Sequence, residues 1–320
     1  MHAAVVTTFG AAPRYQEFPV PVPADDDQML VDVLAAGLHP RVRSQANGSH
    51  YTSTGELPLV PGVDGVGRGP DGLLRYFILP DTAMGAMAEQ TVIDVRRSVV
   101  LDDSVDPVAV AAAMNPAMSS WVALRQRIAF QPGQDVLVLG ATGNSGQLAV
   151  QIAKRSGARN VIAAGRNPAR LATLPALGAT ATVSLDSVSL DSGGQLAKVA
   201  ADVDVVLDYV WGEPTAAAMA AIITSRADRS KPLTWIQIGS VAGRTSPIPS
   251  AALRAARLQI VGSGQGSVSP REYLAELPAL AELISAGTLD IAARAMPLAD
   301  VEQAWATDAG QRIVLVTAAR

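Results

Sequence analysis

The sequence predicts an α/β protein that combines a doubly wound parallel sheet with a second, β-rich region. Short apolar segments recur at residues 135–139, 160–164, 181–185, 204–208, 233–238 and 258–261. Helical patterns separate these segments, and strands that alternate with helices favour a parallel sheet. Residues 1 to about 110 instead show short strands, such as residues 3–7 and 30–34, divided by proline- and glycine-rich turns.

The first strand of the predicted sheet ends in a glycine-rich turn. Residues 136–139 form an apolar run of the kind buried on both faces of a sheet. Gly140, Gly143 and Gly146 follow at every third residue and lead into a helical pattern. This arrangement lets the backbone approach a diphosphate, whose charge is held by free N–H groups at the helix start, and it favours nucleotide binding over an ordinary tight turn. The side-chain donors in the turn are Thr142, Asn144 and Ser145.

The end of the second strand indicates which nucleotide is bound. An NAD site usually carries an acidic residue about 20 residues beyond the glycines, which binds the ribose 2′-hydroxyl. This chain has no Asp or Glu at residues 136–185, and the strand ends in Gly165, Arg166 and Asn167, with Arg170 one turn later. A guanidinium binds a 2′-phosphate through paired charge-assisted hydrogen bonds, whereas a carboxylate repels it. We therefore expect NADP(H), the alternative being that the arginines are solvated surface charges.

Small residues at other strand ends extend the predicted cofactor site. Ligands of a doubly wound sheet bind beyond the carboxyl ends of its strands. Gly239 and Ser240 follow one such strand and Ser263 follows the last, so we expect them to contact cofactor or substrate. Trp211, after the strand at residues 204–208, is an open candidate to border the cofactor, and no role is assigned to Tyr209.

Helical patterns flank the predicted parallel sheet. Ser119 or Ser120 is expected to cap a helix that runs through Trp121 and Ile128. After about residue 265 the pattern predicts an amphipathic helix at residues 273–286, a further helix and a final strand at residues 312–316.

Composition excludes several classes of protein. A chain of 320 residues is long enough for two domains, and its net charge of −4 does not favour nucleic acid or an anionic membrane as partner. No apolar run is expected to approach the roughly 20 residues of a membrane span. Cysteine is absent, which excludes disulfides, thiolate zinc sites and cysteine nucleophiles. The first residues lack the basic and apolar regions of a signal peptide, so we expect a soluble cytoplasmic protein.

Short motifs occur in a fixed order along nearly the whole chain. They are GLHP at 37–40, PGVDGVG at 61–67, GAMAE at 85–89, the loop at 140–146, VDVVLDYVWG at 203–212, AGTLD at 286–290, MPLADVEQAW at 296–305 and GQRIVLV at 310–316. In this order they resemble the medium-chain dehydrogenase/reductase superfamily, in its zinc-independent quinone oxidoreductase-like branch. The resemblance implies a GroES-like catalytic domain at residues 1–112 and 265–320, a Rossmann NADP-binding domain at 113–264, and an active cleft at their junction. It also implies a homodimer formed through the edge strands of the Rossmann sheets.

The chain departs from the zinc-dependent members of that superfamily. Those relatives hold a catalytic zinc ion with Cys, His and Cys, and the matching positions here are His39, Val63 and Asn115. A catalytic zinc ion needs about three protein ligands, so zinc catalysis is not expected. Quinone reductases of this branch often carry Asn, Tyr and Tyr in the substrate pocket. Because the residues at those positions differ here, the resemblance does not decide which substrate this chain takes. The matching positions are His39, Ser44 and either Tyr51 or His50.

The absence of a metal Lewis acid favours one class of reaction. Alcohol oxidation loses its main means of stabilising an alkoxide. A quinone or an α,β-unsaturated carbonyl delocalises the arriving charge onto oxygen, so one or two hydrogen-bond donors and protonation by solvent suffice. We expect the nicotinamide near Ser119 and the acceptor against His39, Ser44, Tyr51 and Asn115. The ordinary pKa of histidine, about 6.5, lets His39 donate a hydrogen bond or a proton, unless the residue is structural.

The expected function is therefore NADPH-dependent reduction of a quinone or an activated C=C bond by a homodimeric enzyme without zinc. The main alternative is a non-catalytic NADPH-binding protein of the adaptor or crystallin type. A third alternative is an alcohol dehydrogenase that uses an adventitious metal.

Overall fold

The chain divides into two compact units, and the α/β prediction is confirmed. The computed structural model describes residues 1–185, 194–264, 266–307 and 311–318. Met1–Asn115 with Leu274–Arg320 form the β-rich unit, and Pro116–Tyr273 form the parallel-sheet unit. The expected boundaries at 112/113 and 264/265 stay a prediction. Gly310 of the final motif lies outside the described residues.

The secondary-structure elements follow the chain in this order. The strands are β1 (His2–Val5), β2 (Arg14–Glu17), β3 (Gln28–Leu38), β4 (Asp64–Arg68), β5 (Leu74–Ile78), β6 (Gln90–Asp94), β7 (Ser98–Val100), β8 (Val136–Leu139), β9 (Val161–Gly165), β10 (Ala181–Ser184), β11 (Val205–Asp208), β12 (Leu233–Gln237), β13 (Leu258–Gly262), β14 (Ala293–Pro297) and β15 (Arg312–Val316). The α-helices are Pro40–Ala46, Pro107–Val122, Asn144–Arg155, Pro168–Leu171, Gln195–Ala200, Gly212–Ser225, Ala252–Ala255, Pro270–Ala275, Leu277–Ser285 and Val301–Ala306. Short 3₁₀ turns occur at Val95–Arg97, Leu174–Leu177 and Leu298–Asp300.

The β-rich unit is built around β3. Its strands are ordered β14-β15-β3-β4-β5-β7, β6 also pairs with β3, and β1 and β2 form a separate antiparallel pair. Inward side chains of β3, including Val31 and Val33, pack in one buried cluster with Phe77 of β5. The strand is longer than the expected residues 30–34 and extends to Leu38. The short helix that follows begins with Pro40, whose missing N–H is harmless in the first turn.

The parallel-sheet unit confirms the strands expected from the apolar segments. Its order is β10-β9-β8-β11-β12-β13, and every neighbouring pair is parallel. The central strands β8, β9 and β11 are buried along their whole length, as expected for a sheet covered on both faces. Strand order reverses between β8 and β11, which is where such sheets bind nucleotides beyond the carboxyl ends of their strands.

Two expectations about helices are wrong. Ser119 and Ser120 lie inside the helix Pro107–Val122 rather than at its start. Their hydroxyls donate to the carbonyls of Pro116 and Ala117, at 2.6 and 3.2 Å, a back-bond that satisfies serine in a helix interior. The helix expected at residues 273–286 is divided into Pro270–Ala275 and Leu277–Ser285, because Pro278 cannot donate a helical hydrogen bond.

The segment Pro107–Arg127 is long and apolar enough to cross a membrane by length and composition alone. This differs from the expectation that no segment approaches that length. Within the protein, 67% of the most apolar 18-residue stretch of this segment is buried, as in the core helix of a globular domain. Its last turn, Ala123–Arg127, is π-helical.

Candidate functional site

The glycine-rich turn after β8 has the backbone geometry of a phosphate-binding turn. Gly140 has φ 87°, a conformation that favours glycine. A Cβ on Gly146 would lie 2.2 Å from the Gly140 carbonyl oxygen, so only glycine lets the helix start so close to the strand. Gly143 is the N-cap of the helix Asn144–Arg155 and offers no side chain to its first N–H groups. The turn therefore leaves helix N–H groups available for an anion.

Arg170 is hydrogen-bonded to this turn. Its Nη1 donates to the Thr142 carbonyl oxygen at 2.9 Å, and Gln147 Nε2 donates to the same oxygen at 3.3 Å. Gly165, at the end of β9, supports the opposite side of Thr142, because a Cβ there would lie 2.5 Å from the Thr142 methyl carbon. The structure thus brings together the first and second strand ends that the sequence assigned to one cofactor site.

Arg166 and Asn167 have different roles in the fold. Asn167 is the N-cap of the helix Pro168–Leu171, and its Oδ1 accepts from the Arg170 N–H at 3.1 Å. Arg166 is exposed and has no hydrogen-bond or ion-pair partner within the described parts of the chain. Arg166 lies in the chain between the buried Gly165 and this cap. It is therefore the basic group at the end of β9 that is available to a ligand.

The ends of β12 and β13 lie at the same edge of the sheet. Gly239 packs on the preceding strand end, since a Cβ would lie 2.6 Å from the Tyr209 carbonyl oxygen. Gln237 Nε2 donates to the Gly239 carbonyl at 3.0 Å, and the Ser263 N–H donates to the Gln237 carbonyl at 2.8 Å. Ser240 is exposed, whereas Ser263 is buried. Of the two serines, Ser240 has the hydroxyl with more access to a ligand.

Ser119 and Tyr209 form a hydroxyl pair in the parallel-sheet unit. Their oxygens lie 2.8 Å apart, and because Ser119 Oγ donates its hydrogen to the Pro116 carbonyl, the Tyr209 hydroxyl is the donor. Burial raises the pKa of Tyr209 to about 12, although hydrogen bonds with Ser119 and Ser120 act against this. Tyr209, to which the sequence assigned no role, therefore stays protonated at neutral pH and orients the Ser119 hydroxyl.

Asp208 at the end of β11 is a buried carboxylate that sequence reasoning did not select. It is 0% exposed. Oδ1 accepts from the N–H groups of Val210 and Trp211 at 2.8 and 3.0 Å. Oδ2 accepts from Thr215 Oγ1 at 2.7 Å and Trp235 Nε1 at 2.9 Å. An aspartate directly after a buried apolar run was the available signal, because such a charge needs several donors.

His39 belongs to a buried network in the β-rich unit. It is 3% exposed, and its Nε2 lies 3.1 Å from Asp64 Oδ1, while the Tyr76 hydroxyl donates to Asp64 Oδ2 at 2.8 Å. In the neutral tautomer that donates to Asp64, His39 keeps only an acceptor at Nδ1. Arg312 donates to the Leu38 carbonyl at 3.2 Å, and burial lowers its pKa to about 10. Asp64 and Tyr76 were not selected from the sequence.

The expectation of an ordinary pKa for His39 is wrong. Burial lowers it, the hydrogen bond and charge of Asp64 raise it, and the positive charges of Arg312 and Arg41 lower it further. The neutral imidazole is therefore favoured at neutral pH, and contact of His39 with substrate stays a prediction.

The other expected acceptor contacts lie on the helix Pro40–Ala46, the loop after it and the helix Pro107–Val122. Ser44 lies in the helix Pro40–Ala46 and its hydroxyl donates to the Arg41 carbonyl at 2.9 Å. The His50 N–H donates to the Ser44 carbonyl at 3.1 Å, which brings the loop and helix together. Tyr51 is 69% exposed, and the centroid of its ring lies 4.4 Å from that of the His50 ring. Asn115 is half-buried in the helix Pro107–Val122.

The residues at the zinc positions have a donor set unsuited to zinc. Val63 has no ligand atom, and His39 Nε2 is directed at Asp64. Within the part of the chain that the structure describes, no group of three or more His, Cys, Asp or Glu side chains is placed to hold a metal ion.

Comparison with known proteins places this geometry among oxidoreductases. The family described as "Zinc-binding dehydrogenase" matches residues 146–285. A "Probable NADPH-dependent quinone reductase" of Emericella nidulans is 30% identical, across 99% of this chain and 100% of the relative. A 2-methylene-furan-3-one reductase of Solanum lycopersicum is 29% identical over 48% of this chain and 44% of its own length.

A solved structure has the same fold over the whole chain. The quinone oxidoreductase of Thermus thermophilus, solved alone and with NADPH, superposes with a TM-score of 0.82 at 25% identity. The match covers 99% of this chain and 100% of that one.

Proposed function

Because this chain belongs to the medium-chain dehydrogenase/reductase superfamily, in its zinc-independent quinone oxidoreductase-like branch, we propose that it is an NADPH-dependent reductase of quinones or activated C=C bonds. The observation that carries this proposal is the glycine turn after β8, together with Arg166 at the end of β9. Arg166 has no partner among the described residues and stands near where an NAD site usually has a carboxylate. The full-length relative from Emericella nidulans supports quinone as acceptor, and the tomato relative supports an activated C=C bond.

The residues present fit a dinucleotide with a 2′-phosphate. Gly140 and Gly146 leave the space that a Cβ would fill, and Gly143 leaves the helix start uncapped. Arg166 is exposed at the strand end where folds of this type bind the 2′-hydroxyl or 2′-phosphate of the adenosine ribose. The cofactor-binding residues we propose are Ser119, Gly140, Thr142, Gly143, Asn144, Ser145, Gly146, Gly165, Arg166, Asn167, Arg170, Gly239, Ser240 and Ser263.

When bound, the reduced nicotinamide supplies the hydride. The protein's contribution is to bind and orient: helix N–H groups at Asn144 hold phosphate charge, and Arg166 pairs with the 2′-phosphate. Tyr209 holds the Ser119 hydroxyl in one orientation. Arg170 keeps the phosphate-binding turn in place through Thr142.

For the acceptor we propose contacts with His39, Ser44, Tyr51 and Asn115. An electron-poor acceptor takes up charge on an oxygen, where one or two hydrogen-bond donors stabilise it. A neutral His39 that donates to Asp64 accepts a hydrogen bond at Nδ1 rather than donating one. We therefore assign the final proton to solvent and not to His39.

The test is NADPH oxidation, followed at 340 nm, with a panel of quinones and a panel of enones, each with and without a chelator. We expect turnover with at least one panel and no effect of the chelator. NADPH binding without turnover on either panel would favour the non-catalytic alternative. Loss of activity with the chelator would contradict catalysis without a metal.

We also propose that the protein is a cytoplasmic homodimer. In the described parallel sheet, β13 is an end strand and its outer edge pairs with no other described strand. A second copy of this edge would continue the sheet. Sedimentation velocity over a range of protein concentrations should give twice the chain mass, and a monomer throughout would contradict the proposal.

A further inference from the structure

Trp211 has a backbone conformation that normally requires glycine. Its φ is 53° and its ψ −166°, and it is the only non-glycine residue with positive φ in the described ranges. A side chain in this region is strained because its Cβ meets the neighbouring peptide groups. Such strain persists only where surrounding contacts enforce it, and it is concentrated at functional sites.

The contacts that enforce this conformation lie on both sides of Trp211. The buried Asp208 carboxylate accepts hydrogen bonds from the N–H groups of Val210 and Trp211. It is held in place by further hydrogen bonds from Thr215 and Trp235. On the other side, Gly212 has φ 70°, and a Cβ there would lie 2.9 Å from the Ala242 carbonyl oxygen. This turn is therefore built rigidly, with the bulky residue at its most strained position.

The turn adjoins the phosphate-binding glycines. A Cβ on Gly140 would lie 3.2 Å from both Tyr209 Cβ and Val210 Cγ2. The two turns follow β8 and β11, the pair of strands between which the strand order reverses. Trp211 is half-buried, and its side chain is not among those packed on the described hydrophobic cluster around Trp235.

We propose that Trp211 is a binding residue for the dinucleotide, whose planar rings its indole contacts. The inference rests on the proposed function, because it takes NADPH as the ligand. Glycine would relieve the strain but would offer no aromatic surface. The strain is retained because the indole is needed at this edge of the sheet.

Three substitutions separate the ring from the strain. Trp211→Gly removes both, Trp211→Ala removes the ring and keeps the strain, and Trp211→Phe keeps an aromatic ring. Two quantities are measured for each: the unfolding temperature without nucleotide, and the NADPH dissociation constant by calorimetry. We expect the Gly and Ala variants each to bind NADPH about fivefold or more weakly than the unaltered protein, and the Phe variant to keep most of the affinity. We expect only Gly to raise the unfolding temperature, by about 2–4 °C.

Several outcomes would overturn the inference. Equal NADPH affinity in all four proteins would show that the indole does not touch the nucleotide, while the proposed function would stand. A lower unfolding temperature for Gly with unchanged affinity would make Trp211 a packing residue. If the unaltered protein itself did not bind NADPH, the proposed function and this inference would both be wrong. Either the Gly or the Ala variant is sufficient to test the ring contact, so the test stands if one of them fails to fold.

Discussion

Arg170 Nη1 donates to the Thr142 carbonyl oxygen at 2.9 Å, which joins the helix after β9 to the turn after β8. The two arginines at the end of β9 therefore differ in kind. Arg170 is part of the fold of the phosphate-binding turn, whereas Arg166 is exposed and without a partner in the described residues. Arg166 can offer its whole guanidinium to the 2′-phosphate, whereas Arg170 already uses one N–H on the turn.

This difference predicts different coenzyme preferences for two variants. Arg166→Ala should weaken NADPH binding roughly 10- to 150-fold, because a hydrogen bond to a charged group contributes about 1.5–3 kcal/mol, and should leave NADH nearly unchanged. Arg170→Ala should weaken both coenzymes alike, because it loosens the shared turn. Calorimetric titration of both variants with NADPH and NADH checks this. Equal losses for Arg166→Ala would contradict the assignment of the 2′-phosphate.

The glycine turn predicts a contrast in stability. Gly146→Ala would place a Cβ 2.2 Å from the Gly140 oxygen, so the turn must shift, at a cost of about 1–3 kcal/mol. Gly143→Ala, in the same turn, meets that oxygen at an ordinary 3.5 Å and should cost little. Denaturant unfolding without nucleotide measures both. Equal stabilities of the two variants would show that Gly146 is not required for close packing.

The buried carboxylate of Asp208 predicts a large loss of stability on replacement by its amide. In Asp208→Asn, an NH₂ group would face two of the four donors. Each buried donor left unsatisfied costs about 1–3 kcal/mol, so we expect a loss of roughly 2–6 kcal/mol in the free energy of unfolding.

Asp228→Asn is the matched control, because that carboxylate is exposed and its main hydrogen bonds come from the N–H and hydroxyl of Ser230. It should change the free energy of unfolding by well under 1 kcal/mol. A similar small effect at Asp208 would show that the four hydrogen bonds do not stabilise the sheet.

Burial of His39 predicts acid sensitivity. Its pKa is lower in the folded chain than in the unfolded chain, so below about pH 6.5 the unfolded state binds more protons and stability falls as the pH falls. The slope for one proton is at most about 1.4 kcal/mol per pH unit. His39→Gln should remove this part of the pH dependence between about pH 7 and 5.

Denaturant unfolding at several pH values measures the effect, with His2→Gln as control because that side chain is 42% exposed. If His39→Gln kept the full pH dependence of the parent protein, another group would be responsible.

The sequence determined the local features, because they depend on periodicity and on turn residues close together in the chain. The apolar runs predicted the strands of the parallel sheet, and the spacing of Gly140, Gly143 and Gly146 predicted its nucleotide turn. The missing acidic residue before Arg166 indicated the phosphorylated coenzyme. Each of these features is present in the structure, although the ligand contacts remain proposals.

Only the tertiary structure decided how distant polar groups are paired. Ser119 meets Tyr209, 90 positions away, which gives Tyr209 a role that the sequence did not assign. His39 meets Asp64, 25 positions away, in a buried network, and this burial lowers the pKa of His39. Strain at Trp211 likewise follows from contacts with Asp208 and with the turn around Gly212. Such pairings cannot be inferred from local patterns, because a buried polar group must find its partners wherever the folded chain brings them.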